Sequence, residues 1–254
     1  MNKSTWVFDC EPYRRINKAR REFLRELLSP QLLAHFDLKT ALDVGCGVEA
    51  LSSSLTGLGV KVTAFDAREE NILEAKQRYP EIRFCTLDIE DLKVRGLGQF
   101  DLVICFGLLY HLENPFLAIR NLHALTGKVL IVESIISPYR IPVAALVDES
   151  PGEDQAVDYI AFIPSESAFV KMLYRAGFQY IYRAIKLPDH EEFRETLACE
   201  RRRTVLVASR SNLQTPLLKR VPEPQQHLLW CKSWYYPLDS LNRLRRVVCN
   251  RLLG

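Results

Sequence analysis

Short apolar runs alternate with amphipathic stretches along the first half of the chain. The apolar runs have the length of β-strands and cover residues 41–44, 60–65, 82–87, 100–106 and 128–133. Patterns of helical period lie between them, at 50–58, 69–79 and 115–125. Strands separated by helices favour a mostly parallel sheet with helices on both faces, which is the α/β class of fold.

The segment that precedes the first strand has the pattern of an amphipathic helix. Between residues 13 and 29, apolar side chains recur at spacings of three and four: Ile16, Ala19, Phe23, Leu24, Leu27 and Leu28. Such a stripe is expected to pack against the domain that follows. We therefore assign residues 1–38 to an N-terminal helical cap, which could fold over a ligand as a lid.

The pattern changes after the fifth strand. Residues 135–164 are rich in Pro, Asp and Glu without a clear period, and are too long for a simple connector. We expect a functional insertion there, within a main domain at 39–210. Ser165 then suits the N-cap of a helix that ends before Gly177, and two further strands follow at 178–187 and 204–209. Residues 211–254 form a C-terminal extension.

Composition narrows the possible classes of protein. With 48% apolar and 26% charged residues over 254 positions, the chain is typical of a globular protein. It has no apolar run near the roughly 20 residues of a membrane helix and no signal-peptide pattern at its N-terminus, so the cytoplasm is the expected location. Seven scattered cysteines give no metal-binding spacing, and no metal is expected. The net charge of +3 does not by itself indicate nucleic acid.

The turn after the first strand has two glycines, within the sequence LDVGCG. Gly45, Gly47 and Ala50 fit the spacing of a dinucleotide-binding turn, whereas Asp43 with the two glycines fits a turn that binds S-adenosylmethionine (SAM). Either cofactor can use the close backbone approach and the helix N-terminus that such a turn provides. Spacing at this turn alone leaves both alternatives open.

Carboxylates at the ends of the next strands favour SAM. Asp66 ends the second strand, where it can accept hydrogen bonds from the hydroxyls of a ribose in either cofactor. Asp88 and Ile89 follow the third strand, where a carboxylate beside an apolar residue suits an adenine ring. Asp43 would repel a pyrophosphate but attract an ammonium or sulfonium group. Transfer of a methyl group from the sulfonium of SAM does not require a metal or a nucleophilic side chain of the protein.

Taken in order, these motifs resemble those of the class I SAM-dependent methyltransferases. The segments that carry the likeness are LDVGCG, VTAFD, CTLDIED, FDLVICFGLLYHLENP, RAGF and RTVLVAS. The resemblance implies a Rossmann-like sheet of seven strands whose last strand is antiparallel. It also implies that SAM contacts Gly45, Gly47, Asp66, Asp88, Ile89 and, at its methionine end, Phe106. Where the family often has a third glycine this chain has Glu49, which we expect to point into solvent or toward Arg21 or Arg25.

Candidate residues for the chemistry follow the fourth strand. His111 is placed to take a proton from a methyl acceptor, or else to fix its loop by hydrogen bonding. Tyr110 either packs in the core or lines the path of the methyl group. In the insertion at 135–164, Tyr139, Arg140 and Tyr159 are candidates to contact the substrate.

Three functions are consistent with the sequence. The first is methyl transfer to a hydroxyl or amine of a small molecule such as a sugar, a lipid or a secondary metabolite. The second is modification of tRNA, because the loop FGLLYHLENP is similar to that of tRNA wobble-uridine carboxymethyl-transfer enzymes and both ends of the chain are basic. The third is a non-catalytic protein that binds SAM. The oligomeric state does not follow from the sequence.

Overall fold

A computed structural model describes residues 6–29, 36–57, 59–148, 160–195 and 201–225. The helices of this part of the chain are α1 (Glu11–Leu27), α2 (Ser53–Thr56), α3 (Glu69–Arg78), α4 (Pro115–Leu125) and α5 (Glu166–Ala176). Its strands are β1 (Thr40–Val44), β2 (Lys61–Asp66), β3 (Arg83–Thr86), β4 (Phe100–Phe106), β5 (Thr126–Ile135), β6 (Ala144–Asp148), β7 (Ile160–Pro164), β8 (Tyr180–Ala184), β9 (Arg203–Ser209) and β10 (Leu218–Arg220).

A single large sheet runs through the described residues, in the order β10-β8-β9-β5-β4-β1-β2-β3. Strands β1 to β5 are parallel, and β9 pairs antiparallel with both β5 and β8. The α/β class and the antiparallel strand at 203–209 are thus confirmed. The sheet has eight strands instead of the expected seven, because Leu218–Arg220 of the C-terminal extension pairs antiparallel with β8.

Alternating side chains of the central strands build a core on each face of the sheet. In β4, Leu102 and Ile104 face one cluster of buried residues, whereas Val103 and Cys105 face the other. The first cluster includes the apolar stripe of α1, and the second includes the buried faces of α4 and α5. The period of two along each strand explains why helices are needed on both faces.

The predicted helix at 50–58 is much shorter in the structure. Only Ser53–Thr56 is helical, because the backbone φ of Ala50 is +30° and the Ser52 hydroxyl is bonded to Asp43. By contrast, α5 begins as predicted. The Ser165 hydroxyl accepts a hydrogen bond from the backbone N–H of Ala168, and Gly177 follows the helix with a φ of +120°.

The insertion at 135–164 contributes a two-stranded antiparallel hairpin, β6–β7. Strand β7 packs against α5 and against the short helical turn Leu109–His111 that follows β4. The insertion therefore covers the carboxyl end of the parallel strands. None of the helices within the described ranges is both long and apolar enough to cross a lipid bilayer.

Candidate functional site

A cavity of about 910 Å³ opens at the carboxyl ends of β1 to β4, between α1 and the β6–β7 hairpin. Nine of the residues proposed from the sequence line it: Asp43, Gly45, Gly47, Asp66, Asp88, Ile89, Phe106, Tyr110 and His111. Ligands of open α/β sheets bind at this edge because the turns after the strands meet there. The volume lies near the upper end of the roughly 300–1,000 Å³ usual for ligand sites.

The turn after β1 requires glycine at two positions. The φ angles of Gly45 and Gly47 are +69° and +54°, a region that side chains disfavour. An added Cβ would lie 2.8 Å from Leu108 at Gly45 and 2.9 Å from the Phe8 ring at Gly47. The glycines therefore let the backbone and the N-terminal segment approach one another closely around the cavity.

Asp66 ties the end of β2 to the glycine turn. Its Oδ2 accepts the backbone N–H of Gly47 at 2.9 Å, while its Oδ1 accepts the N–H of Arg68 and the side-chain amide of Asn71, both at 3.0 Å. A carboxylate has about four acceptor positions. These contacts leave Asp66 with capacity for a further donor, such as a hydroxyl group in the cavity.

Asp43 is a buried carboxylate at the floor of the cavity. Its side chain accepts the backbone N–H and the hydroxyl of Ser52, at 3.0 and 2.7 Å. Burial raises the pKa of Asp43, the hydrogen bonds from Ser52 oppose that rise, and the nearby Asp66 adds to it. A cationic group in the cavity would stabilise the ionised form of Asp43.

The segment after β3 is held by Asn121, which no sequence motif marks. Asp88 is exposed and accepts the N–H of Glu90 at 2.8 Å, whereas Ile89 is 2% exposed. The carbonyl of Ile89 accepts the side-chain amide of buried Asn121 at 2.7 Å, and Arg95 in turn bonds to Asn121. This chain of contacts from α4 fixes the apolar surface that Ile89 presents.

Glu49 points toward α1 and not into solvent. Its Oε2 lies 2.8 Å from Nη1 of Arg21, one of the partners expected for it. Both side chains are largely buried, with 13% of Glu49 and 26% of Arg21 exposed. The negative charge at the third-glycine position is thereby paired.

A buried ionic network joins α1 to the far side of the cavity. The carboxylate of Glu133, at the end of β5, is fully buried and accepts hydrogen bonds from Arg20 at 2.6 Å and Arg203 at 3.0 Å. Arg203 also bonds to Glu192. Burial disfavours the charged guanidinium of Arg203, but Tyr110, Glu133 and Glu192 raise its pKa further above its already high value.

Tyr110 and His111 lie next to this network. The Tyr110 hydroxyl is 3.3 Å from Nη2 and 3.4 Å from Nη1 of Arg203, whose guanidinium lies 5.3 Å from the centre of the ring. The rings of Tyr110 and His111 are 4.1 Å apart. Tyr110 is therefore both buried and part of the cavity wall, so the two alternatives considered for it are not exclusive.

A second histidine reaches the cavity from the loop between β8 and β9. His190 lines the cavity, and its Nδ1 accepts the backbone N–H of Glu192 at 3.3 Å. Burial lowers the pKa of His190; Glu192 and Glu191 oppose this, whereas Arg15 and Arg203 contribute to it. No motif in the sequence marks His190, Arg20, Glu133 or Arg203 as a residue of the site.

Where the structure describes the insertion, its side chains that line the cavity are apolar. Val147, Ala161 and Ile163 of the hairpin line the cavity together with Ile135 of β5. Tyr139 and Arg140 are not brought to the cavity: they precede the hairpin, and the Arg140 carbonyl accepts the Ser167 hydroxyl at 2.9 Å. Tyr159 lies outside the described residues.

Charged side chains around the cavity are predominantly acidic. Its lining includes four arginines, Arg15, Arg20, Arg68 and Arg203. Eight carboxylates face them among the described residues: Glu11, Asp43, Glu49, Asp66, Asp88, Glu90, Glu191 and Glu192. This excess favours cationic or uncharged ligands over polyanionic ones.

Comparison with known proteins gives one family and a set of curated relatives. A family model described as "Methyltransferase domain" matches residues 16–183. The ubiquinone biosynthesis O-methyltransferase of Caulobacter vibrioides is 35% identical over 118 residues, which cover 41% of this chain and 45% of that protein. The protein of the same name from Bordetella avium is 29% identical over 121 residues, 46% of this chain and 48% of that one. The chain spans about half the length of the curated relatives it matches.

Solved structures share the fold. The N-terminal domain of EvdMO1 with SAH bound has a TM-score of 0.59 at 20% identity, covering 76% of this chain and 80% of that one. The magnesium protoporphyrin IX methyltransferase ChlM from Synechocystis PCC 6803 with bound SAM has a TM-score of 0.53 at 23% identity, covering 78% and 83%. At this identity the likeness shows the fold.

Proposed function

Because the chain belongs to the methyltransferase-domain family, we propose that it binds SAM in this cavity and transfers the methyl group to a hydroxyl of a small molecule. We call the residues around the glycine turn the cofactor half of the cavity: Asp43, Gly45, Gly47, Asp66, Asp88 and Ile89. The acceptor half consists of Tyr110, His111, Ile135, Val147, Ala161, Ile163, His190 and Arg203.

The observation that carries the proposal is that both halves line one cavity. The cofactor half offers the groups that the parts of SAM require. Asp66 has capacity for a ribose hydroxyl, Ile89 offers an apolar surface for the adenine, and Asp43 supports a cationic ammonium. Arg20 adds a cation beside the turn after Phe106, where the carboxylate of the methionine part can be bound.

SAM, when bound, would supply a methyl group on a positively charged sulfur; the acceptor oxygen would displace that sulfur, and the electron pair of the carbon–sulfur bond would remain on sulfur. The protein must orient the acceptor and remove its proton. His111 is the proposed base, whose imidazole takes the hydroxyl proton. Tyr110, held by Arg203, and the apolar hairpin exclude water from the reacting groups.

The acceptor half favours a small molecule with an apolar body. Ile135, Val147, Ala161 and Ile163 offer it an apolar wall, opposite the polar side chains of His190 and Arg203. The curated relatives are named as O-methyltransferases, which favours a hydroxyl over an amine as the methyl acceptor. The acidic lining disfavours a tRNA substrate, since phosphate groups would meet more carboxylates than arginines.

The test has two stages. Calorimetry should first detect binding of SAM and of its product SAH to the purified protein. Labelled SAM is then incubated with metabolite extracts separated into neutral, acidic and basic fractions, and with tRNA. Transfer to a compound in the neutral fraction, and its loss in a His111→Ala variant that still binds SAH, is the expected result. Absence of SAH binding to folded protein contradicts the proposal, and labelled tRNA contradicts its acceptor class.

A further inference from the structure

Glu49 departs from the glycine that the family often has at this position, and the proposed reaction gives it no role. We propose that Glu49 is a positioning residue: by holding Arg21 it orients α1 so that Arg20 presents its Nε–H to the carboxylate of the bound cofactor. The inference rests on the proposed binding of SAM. It assigns a function to the pairing between the glycine loop and the N-terminal helix.

Arg20 has a hydrogen-bond donor available for a ligand. Its Nη1 donates to Asn17 at 2.9 Å and its Nη2 to Glu133 at 2.6 Å, but its buried Nε has no partner among the described residues. Arg20 is only 7% exposed and lines the cavity. A buried donor without an acceptor is costly, so an oxygen atom of a ligand at this place would be stabilising.

The guanidinium of Arg20 lies where the methionine part of SAM is expected. A Cβ added to Gly107 would be 3.2 Å from Nη2 of Arg20, which places the cation against the turn directly after Phe106. Phe106 is the residue that the resemblance assigns to the methionine end of the cofactor. The ligand oxygen that Nε would meet is therefore one of the cofactor carboxylate.

The pair between Glu49 and Arg21 controls the direction of Arg20. Consecutive side chains of a helix point about 100° apart, so fixing Arg21 against the glycine loop fixes the rotation of α1 and with it Arg20. The pair also removes a repulsion, because an unpaired Glu49 would lie in the same cavity as the cofactor carboxylate. Loss of Arg21 is thus expected to be worse than loss of the Glu49 charge.

Two nucleosides separate this role from a general effect on binding. SAH has the carboxylate, whereas 5′-methylthioadenosine lacks the whole amino-acid part. In calorimetry, Glu49→Gln should bind SAH roughly tenfold more weakly and 5′-methylthioadenosine as the wild type does, since only the carboxylate contact changes. Arg21→Met should weaken SAH binding more, and Arg21→Met combined with Glu49→Gln should recover part of that loss.

A matched control is the ion pair between Asp9 and Arg78, which joins the same N-terminal segment to α3. Its side chains are 23% and 25% exposed, compared with 13% for Glu49 and 26% for Arg21. Asp9→Asn should change the affinities for both nucleosides by the same factor. Should Glu49→Gln not fold, the charge-reversed pair Arg21→Glu with Glu49→Arg tests the same contact.

The outcomes are separable. Equal losses for the two nucleosides in Glu49→Gln, or no loss for either, overturn the positioning role, as does a lower melting temperature with an unchanged ratio of affinities. Failure of the wild type to bind SAH contradicts the proposed function itself. A selective loss of SAH affinity in a variant that melts like the wild type supports the inference.

Discussion

Each half of the cavity has its own hydrogen bonds, and those of the two halves join residues that lie at very different distances along the chain. In the cofactor half, Asp43 bonds to a residue nine positions away, and Asp66 bonds to residues at most 19 positions away. In the acceptor half, Arg203 contacts Tyr110 across 93 positions and Glu133 across 70. A local turn motif describes the first half, whereas the second exists only after the chain has folded.

The largest difference between the halves should appear in stability. Glu133→Gln leaves buried Arg20 without its carboxylate partner and Arg203 with Glu192 alone, so the free energy of unfolding should fall by about 3–5 kcal/mol. Asp88→Asn, an exposed change in the cofactor half, should stay within about 0.5 kcal/mol of wild type. Denaturant unfolding measures both. Equal losses would mean that the network is not the principal support of the acceptor half.

The affinity for the cofactor should instead fall when a residue of the cofactor half is changed. In Asp66→Asn, a carboxylate that accepts hydrogen bonds through both oxygens becomes an amide that accepts through only one. The loss of about 1.5–3 kcal/mol of charged hydrogen bonding should weaken SAH binding by roughly 10- to 100-fold. Asp101→Asn is the control, since Asp101 accepts the backbone N–H groups of Lys39 and Thr40 outside the cavity. Calorimetry should show unchanged SAH binding for the control, and a loss there would speak against a specific role of Asp66.

The ionised side chain of Asp43 should lower the stability of the free protein and strengthen binding of the cofactor. Its pKa is raised in the folded protein, mainly by burial, so the native state holds the proton more firmly than the unfolded chain does. The contribution of Asp43 to stability therefore falls as pH rises above the ordinary carboxyl pKa of 3.8, up to the native pKa, and does not recover at higher pH.

Asp43→Asn removes that ionisation. Without ligand, the variant should melt at a higher temperature than the wild type at about pH 8, and the difference should vanish below the ordinary carboxyl pKa. Its affinity for SAH should fall, because the carboxylate that supports the ammonium group is absent. Melting curves over this pH range, with and without SAH, check both parts. A lower melting temperature at high pH would contradict the sign.

The smallest expected effect concerns the hairpin. Val147 lines the cavity and is 41% exposed, so Val147→Ser should raise KM for the acceptor identified by the labelled-SAM screen by roughly threefold and leave SAH affinity unchanged. Leu146 is the adjacent residue on the opposite face, 71% exposed and outside the cavity lining. Leu146→Ser should therefore keep the KM of the wild type. Equal KM values for the two variants would remove Val147 from the acceptor half.

The features that could be predicted from the sequence are those that local geometry determines. The sheet, the N-cap at Ser165 and the convergence of the strand-end residues followed from spacing. The short α2 did not, because a hydrogen bond from Ser52 to Asp43 and the positive φ of Ala50 override its helical pattern. Strand β10 was too short to give a pattern of its own.

The missed site residues share a cause. Arg20 and Arg203 each belong to a run of basic residues, and the sequence gives no sign that these two are buried on one carboxylate. His190 lies in a polar loop with no motif around it. Tyr139 and Arg140 were expected near the ligand from the position of the insertion, but the chain turns at this point and brings apolar residues of the hairpin there instead.

The contact between Arg20 and Glu133 also has a consequence for synthesis of the protein. The two residues are 113 positions apart, and at about 5–20 residues per second a ribosome needs roughly 6–23 s to make the chain between them. During that time α1 has been made, but Glu133, which pairs with Arg20, and the sheet that covers the apolar side of α1 are still incomplete. SAM has no complete binding site on such a partial polypeptide, so it can stabilise the folding chain only late in translation.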